Sequence, residues 1–156
     1  MGERGNGHGE SWLVVPPPGA RVVDTGAARW WSEGEGLVCN QSYVATVTAE
    51  HLRAGFRVAR EMGEGRKVAL VAESGPLSQA TRESRVVLAG PESAAVFAAM
   101  AVVVRSPVAR AIMNFFVRLS SPPFPLRMFT SPDDARAWAR SELAARSAEI
   151  APSSAS

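Results

Sequence analysis

Histidine is the natural first suspect for chemistry, because an imidazole can act as a base or bind metal near neutral pH. His8 and His51 are the two histidines. Neither has a second imidazole or a paired acid at ligand spacing, so no metal centre is expected. Cys39 is the single cysteine. It falls mid-strand and reads as a small packed side chain, with no partner for a disulfide framework and no companions for a metal cluster. Ser74 beside Gly75, after an apolar run, superficially resembles a nucleophile elbow. The Gly-x-Ser-x-Gly frame is missing, however, and neither histidine is placed as its base. Asp133–Asp134 marks a helix start and Glu33/Glu35 a turn, so neither acid pair needs a catalytic role. Gly34/Gly36 and Gly63/Gly65 are two-glycine turns, well short of a phosphate loop or dinucleotide fingerprint. The expectation is a non-enzymatic protein with no catalytic or metal-binding residues and no cofactor.

Seven residues remain as candidates for contact with a partner or ligand: Ser78, Arg82, Arg105, Asn114, Phe115, Phe116 and Arg127. Arg105 ends an apolar strand just before a helix, and Arg127 sits inside the last strand. Asn114 interrupts the apolar stretch Ile112 to Val117, where a polar group needs a partner, most simply a structural hydrogen bond. Phe115 and Phe116 are adjacent on a helix and point about 100° apart. With Met113 and Phe124 nearby, they outline an apolar patch of the kind that meets a partner or a second copy of the chain.

Composition narrows the classes. A chain of 156 residues suits one domain. Hydrophobic residues at 46% and charged residues at 21% lie in the globular range. Net charge is +2, and all the cations but Lys67 are arginine. Arg57, Arg60, Arg66, Arg82, Arg85 and Arg105 alternate with Glu61, Glu64, Glu73, Glu83 and Glu92, a solvated mixed surface rather than a nucleic-acid face. The apolar run Ala94 to Val104 is far short of the roughly 20 residues that span a bilayer, and the first residues lack the pattern of a secretory signal. With a lone cysteine as well, the expectation is a cytoplasmic protein that binds no nucleic acid and has no stable membrane association.

The elements follow from local signals. Residues 1–18, glycine-rich and then closed by Pro16-Pro17-Pro18, read as a disordered N-terminal segment, and 148–156 as a disordered tail. Between them, 19–147 reads as one domain. Ala28 to Glu33 and Leu37 to Ser42 form a hairpin around Gly34-Glu35-Gly36. Thr48 caps a helix whose packing stripe is Leu52, Phe56, Ala59 and Met62, ended by Gly63 and Gly65. Val68 to Ala72 is a buried strand. Ser78 is read as the cap of a second helix running to Leu88, with a helical piece continuing toward Phe97. Met100 to Val104 is a strand. Ser106-Pro107 opens a helix with Val108, Ile112, Phe115, Phe116 and Leu119 as its apolar face. Leu126 to Thr130 is the last strand, and Ser131-Pro132-Asp133-Asp134 starts a final helix packing through Ala135, Trp138, Ala139 and Leu143. The expected fold is α/β: a mixed sheet of about five strands, hairpin plus parallel strands, flanked by about four helices.

The run Ala101-Val102-Val103-Val104, then Ser106-Pro107-Val108 and Asn114-Phe115-Phe116, then Pro123-Phe124-Pro125-Leu126-Arg127-Met128-Phe129-Thr130 before a helix with Trp138, resembles the STAS-like superfamily. More narrowly it resembles bacterial proteins related to STAS and lipid-transfer (CRAL-TRIO) domains, over roughly Ala28 to Leu143. That resemblance implies a regulatory module acting by contact with a protein partner, and a homodimer through Ile112 to Phe116. The looser lipid-transfer resemblance implies the alternative, a pocket for a small apolar ligand or lipid. Antagonists of this superfamily carry Asp-Ser-Ser-Gly at the start of the second helix, where phosphorylation switches binding. Leu77-Ser78-Gln79-Ala80 stands there instead, which favours a cap role for Ser78.

Overall fold

Gly34, Glu35 and Gly36 carry φ of 92°, 55° and 84°, the left-handed region that glycine reaches most readily. This turn folds β2 (Ala28–Gly34) onto β3 (Leu37–Ser42), antiparallel, with Trp30 opposite Asn40 and Ala28 opposite Ser42. The computed structural model describes residues 11–75, 78–120 and 122–150, except the side chains of 116–120 and 147–150.

A short β1 (Val23–Asp24) pairs with β2, and β3 continues in parallel into β5 (Val68–Ser74), β7 (Phe97–Val103) and β8 (Leu126–Phe129). The six-stranded sheet therefore runs β1-β2-β3-β5-β7-β8. Two dipeptides, β4 (Thr46–Val47) and β6 (Gln79–Ala80), form a separate parallel pair. The parallel order never reverses, so right-handed crossovers send their helices to one face. That face carries α1 (Ala49–Met62), α2 (Arg82–Leu88) and α3 (Pro91–Ala94). α4 (Pro107–Ser120) connects β7 to β8, and α5 (Pro132–Ile150) covers the opposite face.

Strand alternation sorts the core into two layers. Trp30, Val38, Leu70 and Met100 pack against Phe56, Ala59 and Val87 of the helices. Trp31, Leu37, Cys39, Ala69, Val71, Ala101 and Val103 pack against Ala135 and Ala139 of α5 and against Val14. Caps fix where the helices begin. Thr48 Oγ1 accepts from His51 N–H at 3.2 Å, while Thr48 N–H donates to His51 Nδ1 at 3.1 Å. Ser106 Oγ and Ser131 Oγ accept from Ala109 N–H and Asp134 N–H at 3.0 and 3.1 Å.

The structure departs from the sequence expectations in five places. Thr81, not Ser78, caps α2, accepting from Ser84 N–H at 3.0 Å; Gln79 and Ala80 are drawn into the β4 pairing, which delays the helix. β7 starts at Phe97 rather than Met100, because Phe97 pairs with Val68. Residues 11–18 are not loose: Val14 is fully buried. α5 runs on to Ile150, past the boundary expected at 147. Lastly, Val108 and Ile112 of the α4 apolar face lie exposed, as does Phe115, which the sequence had already placed in an apolar patch for a partner. Phe116 and Leu119 of that face, and residues 1–10 and 151–156, are outside the described residues.

Candidate functional site

The six of the sequence candidates whose side chains are described do not converge. Ser78 lines a cavity between sheet and helices. Arg82 is exposed at the first position of α2. Arg105 lies against the other layer, 3.5 Å from Glu73 and bonded to the Ser11 carbonyl. Asn114 Oδ1 accepts from Met128 N–H at 3.0 Å, so its polar group is spent on the edge strand β8. Arg127 rests its guanidinium 5.2 Å from the Phe129 ring centroid. Phe115 is exposed, and the side chain of Phe116 is not described.

The cavity is where polar and apolar groups do converge. It has a volume of about 270 Å³. Its floor is one sheet face near the carboxyl ends of the parallel strands: Ala28, Trp30, Asn40, Ser42, Leu70, Ala72, Ser74, Met100 and Val102. Leu52 and Phe56 of α1 and Ser84, Arg85 and Leu88 of α2 form its wall, and Val47, Gln79 and Ala80 of the β4–β6 pair close one side. Phe56 meets Phe97 edge-on, centroids 5.5 Å apart, which holds α1 against the floor. No acidic residue among the described residues lines the cavity.

Several of its polar groups are already engaged. Ser84 Oγ donates to the Thr81 carbonyl at 2.8 Å, and Arg85 Nη1 to the Ala80 carbonyl at 2.7 Å. His51 Nδ1 accepts from Thr48 N–H, so the neutral ring carries its proton on Nε2. Two buried ones are not engaged. Trp30 Nε1 and Asn40 Oδ1 are buried without a hydrogen-bond partner among the described residues. Their residues are only 6% and 8% exposed. An unpaired buried polar group costs about 1–3 kcal/mol, and most are satisfied. Both atoms belong to residues of the cavity floor, yet each is itself closed off by its neighbours. With no nucleophile–base pair beside them, they assemble no catalytic set.

All of the cavity lining except Ala27 and Ala28 lies within the span that a family model recognises. Residues 30–142 match the model of a domain of unknown function, DUF7793. The chain belongs to this family. No curated protein and no solved structure matches it.

Within this DUF7793 domain, the other buried ionisable groups serve the fold. Glu73, 2% exposed, accepts from Leu13 N–H and Val14 N–H at 2.8 and 2.7 Å, and Gln41 Nε2 donates to the Val14 carbonyl at 2.9 Å. Burial pushes the Glu73 carboxyl above its ordinary value despite those two bonds and Arg105. Burial also acts on Glu33, but hydrogen bonds from Arg136 and Trp31 outweigh it and hold that carboxyl low. Burial, then the nearby Glu33 charge, drives the Cys39 thiol far up, so it stays protonated and inert. Sequence reasoning missed Trp30 and Asn40 as a pair. The signal was present in the hairpin register and in Asn40, which ends the apolar run Leu37 to Cys39.

Proposed function

We propose that this DUF7793 domain is a non-enzymatic, cytoplasmic binding module for a small, largely apolar ligand. The carrying observation is the cavity of about 270 Å³, lined by Leu52, Phe56, Leu70, Met100 and Val102 with a few polar side chains among them. Apolar walls with a few converging polar groups are the usual composition of a ligand site. The hairpin, parallel strands and helix-covered face support a kinship with the STAS-like and lipid-transfer-related folds. A fragment library screened by ligand-observed NMR tests the reading. Hits are expected for the wild-type chain and are expected to vanish in a folded Ala72→Phe variant, which fills the cavity. A screen without hits, or hits indifferent to Ala72→Phe, contradicts it.

A second reading, a contact module for a protein partner, is favoured by α4. Val108, Ile112 and Phe115 recur at helical spacing and are 68%, 51% and 57% exposed. The helix sequence contains arginines but no acid, so the surface that fits it is apolar with an acidic rim. Sedimentation of the chain, alone and as Ile112→Asp, tests whether that surface is a second copy.

A further inference from the structure

We propose that the sheet face beside α5 carries a docking groove for an extended peptide of a partner protein, and that residues 11–15 occupy it in cis. The groove is on the face opposite the cavity and is independent of ligand binding there. Val14 is fully buried, in the cluster that holds Leu37, Cys39, Val71, Ala135 and Ala139. Around it the segment is gripped by its main chain. Leu13 N–H and Val14 N–H donate to Glu73 Oε1 at 2.8 and 2.7 Å. Gln41 Nε2 and Arg136 Nη2 donate to the Val14 and Val15 carbonyls at 2.9 and 3.4 Å, and Arg105 Nη2 donates to the Ser11 carbonyl. Among the described residues, no main-chain hydrogen bond ties residues 11–15 to a strand. The segment is held as a bound peptide is held: main-chain bonds supply affinity and a pocket selects one side chain.

Two of the four gripping side chains are oriented without the segment. Gln41 Oε1 accepts from Arg29 Nη1 at 3.0 Å, and the Glu33 carboxylate accepts from Arg136 at 2.8 and 3.0 Å. Such pre-organisation lowers the cost of binding. Gln41, Glu73, Arg105 and Arg136 all lie within residues 30–142, the span of the family model, and residues 11–15 lie outside it. The family unit therefore contains the groove but not its filler. Pro16, Pro17 and Pro18 follow, without an N–H to bond, so the gripped stretch ends at Val15 and can leave without unravelling a strand. The same contacts define the incoming peptide. It is extended, with an aliphatic residue about the size of valine at the buried position. Neither that residue nor the one before it is proline, because Glu73 takes both amides.

The test titrates the synthetic peptide Gly-Glu-Ser-Trp-Leu-Val-Val-Pro, the sequence of residues 9–16, into the full chain and into its Val14→Asp variant by calorimetry. An aspartate at the buried position expels the tethered segment. Val14→Asp is expected to bind the peptide at least about ten-fold more tightly than wild type, whose own segment competes at an effective concentration in the millimolar range. The same peptide with aspartate in place of its first valine is expected not to bind. A folded Val14→Asp chain that ignores the first peptide overturns the proposal. Should Val14→Asp not fold, amide hydrogen exchange of the wild type decides. Leu13 and Val14 are expected to exchange at least about ten-fold faster than the amides of β5, through local release of the segment. Equal protection would make the segment an inseparable part of the core and sink the proposal. A wild-type dimer in sedimentation that Val14→Asp abolishes would give the groove to a second copy, against the partner named here.

Discussion

Trp30 and Asn40 stand directly opposite each other on β2 and β3, on one cavity floor, and neither satisfies the other's buried polar atom. Two adjacent uncompensated groups in a core are a local cost that the fold does not require. Such violations of packing rules concentrate at functional sites.

That cost predicts a stability gain on removal. Asn40→Leu, similar in volume and without the open oxygen, is expected to raise the unfolding free energy of the ligand-free chain by about 1 kcal/mol. Urea denaturation measures it. A loss of similar size would mean that the amide serves the fold.

Gly55 gives a prediction opposite to helix propensity. Alanine in a helix interior gains up to about 1 kcal/mol over glycine, yet here the added methyl meets the Trp30 ring. Gly55→Ala is therefore expected to destabilise by about 1–3 kcal/mol through overpacking, and to quench ligand binding with it.

Capping distinguishes two neighbouring hydroxyls. Thr81→Ala is expected to cost about 1 kcal/mol because it removes the α2 cap. Ser78→Ala, which uncaps no helix, is expected to change stability by less than about 0.5 kcal/mol. Paired thermal melts decide.

Glu73 sets a pH dependence. Its carboxyl has a raised value in the folded chain, so its stabilising contribution is complete below the unfolded value and is lost as pH rises through the folded value. Glu73→Gln keeps an acceptor for the Leu13 and Val14 amides without ionising. It is expected to be more stable than wild type at neutral pH, the gap closing as pH falls into the ordinary carboxylate range. Denaturation at several pH values checks the sign.

What the sequence made legible was local. The hairpin turn, the caps at Thr48, Ser106 and Ser131, and the buried β5 could each be read within a few residues, because capping and turn chemistry act at that range. Ser78 and Thr81 are equally good caps by type, and the choice between them is made by pairing with β4, far away in sequence. Phe97 to Ala99 is apolar and alanine-rich, which fits helix or strand until Val68 claims Phe97. Val14 is held by Glu73, a partner 59 positions away. Periodicity outlined the apolar face of α4 but carries no information on whether anything covers it. The cavity depends on four strands of the main sheet, the β4–β6 pair and two helices meeting, and only Asn40, a polar residue after the apolar start of β3, hinted at it.

The most direct measurement is a high-resolution crystal structure of the chain grown with benzyl alcohol. The ligand-binding reading predicts electron density for the alcohol in the cavity, among Leu52, Phe56 and Met100. Ordered water alone in the cavity, with no alcohol, would contradict it.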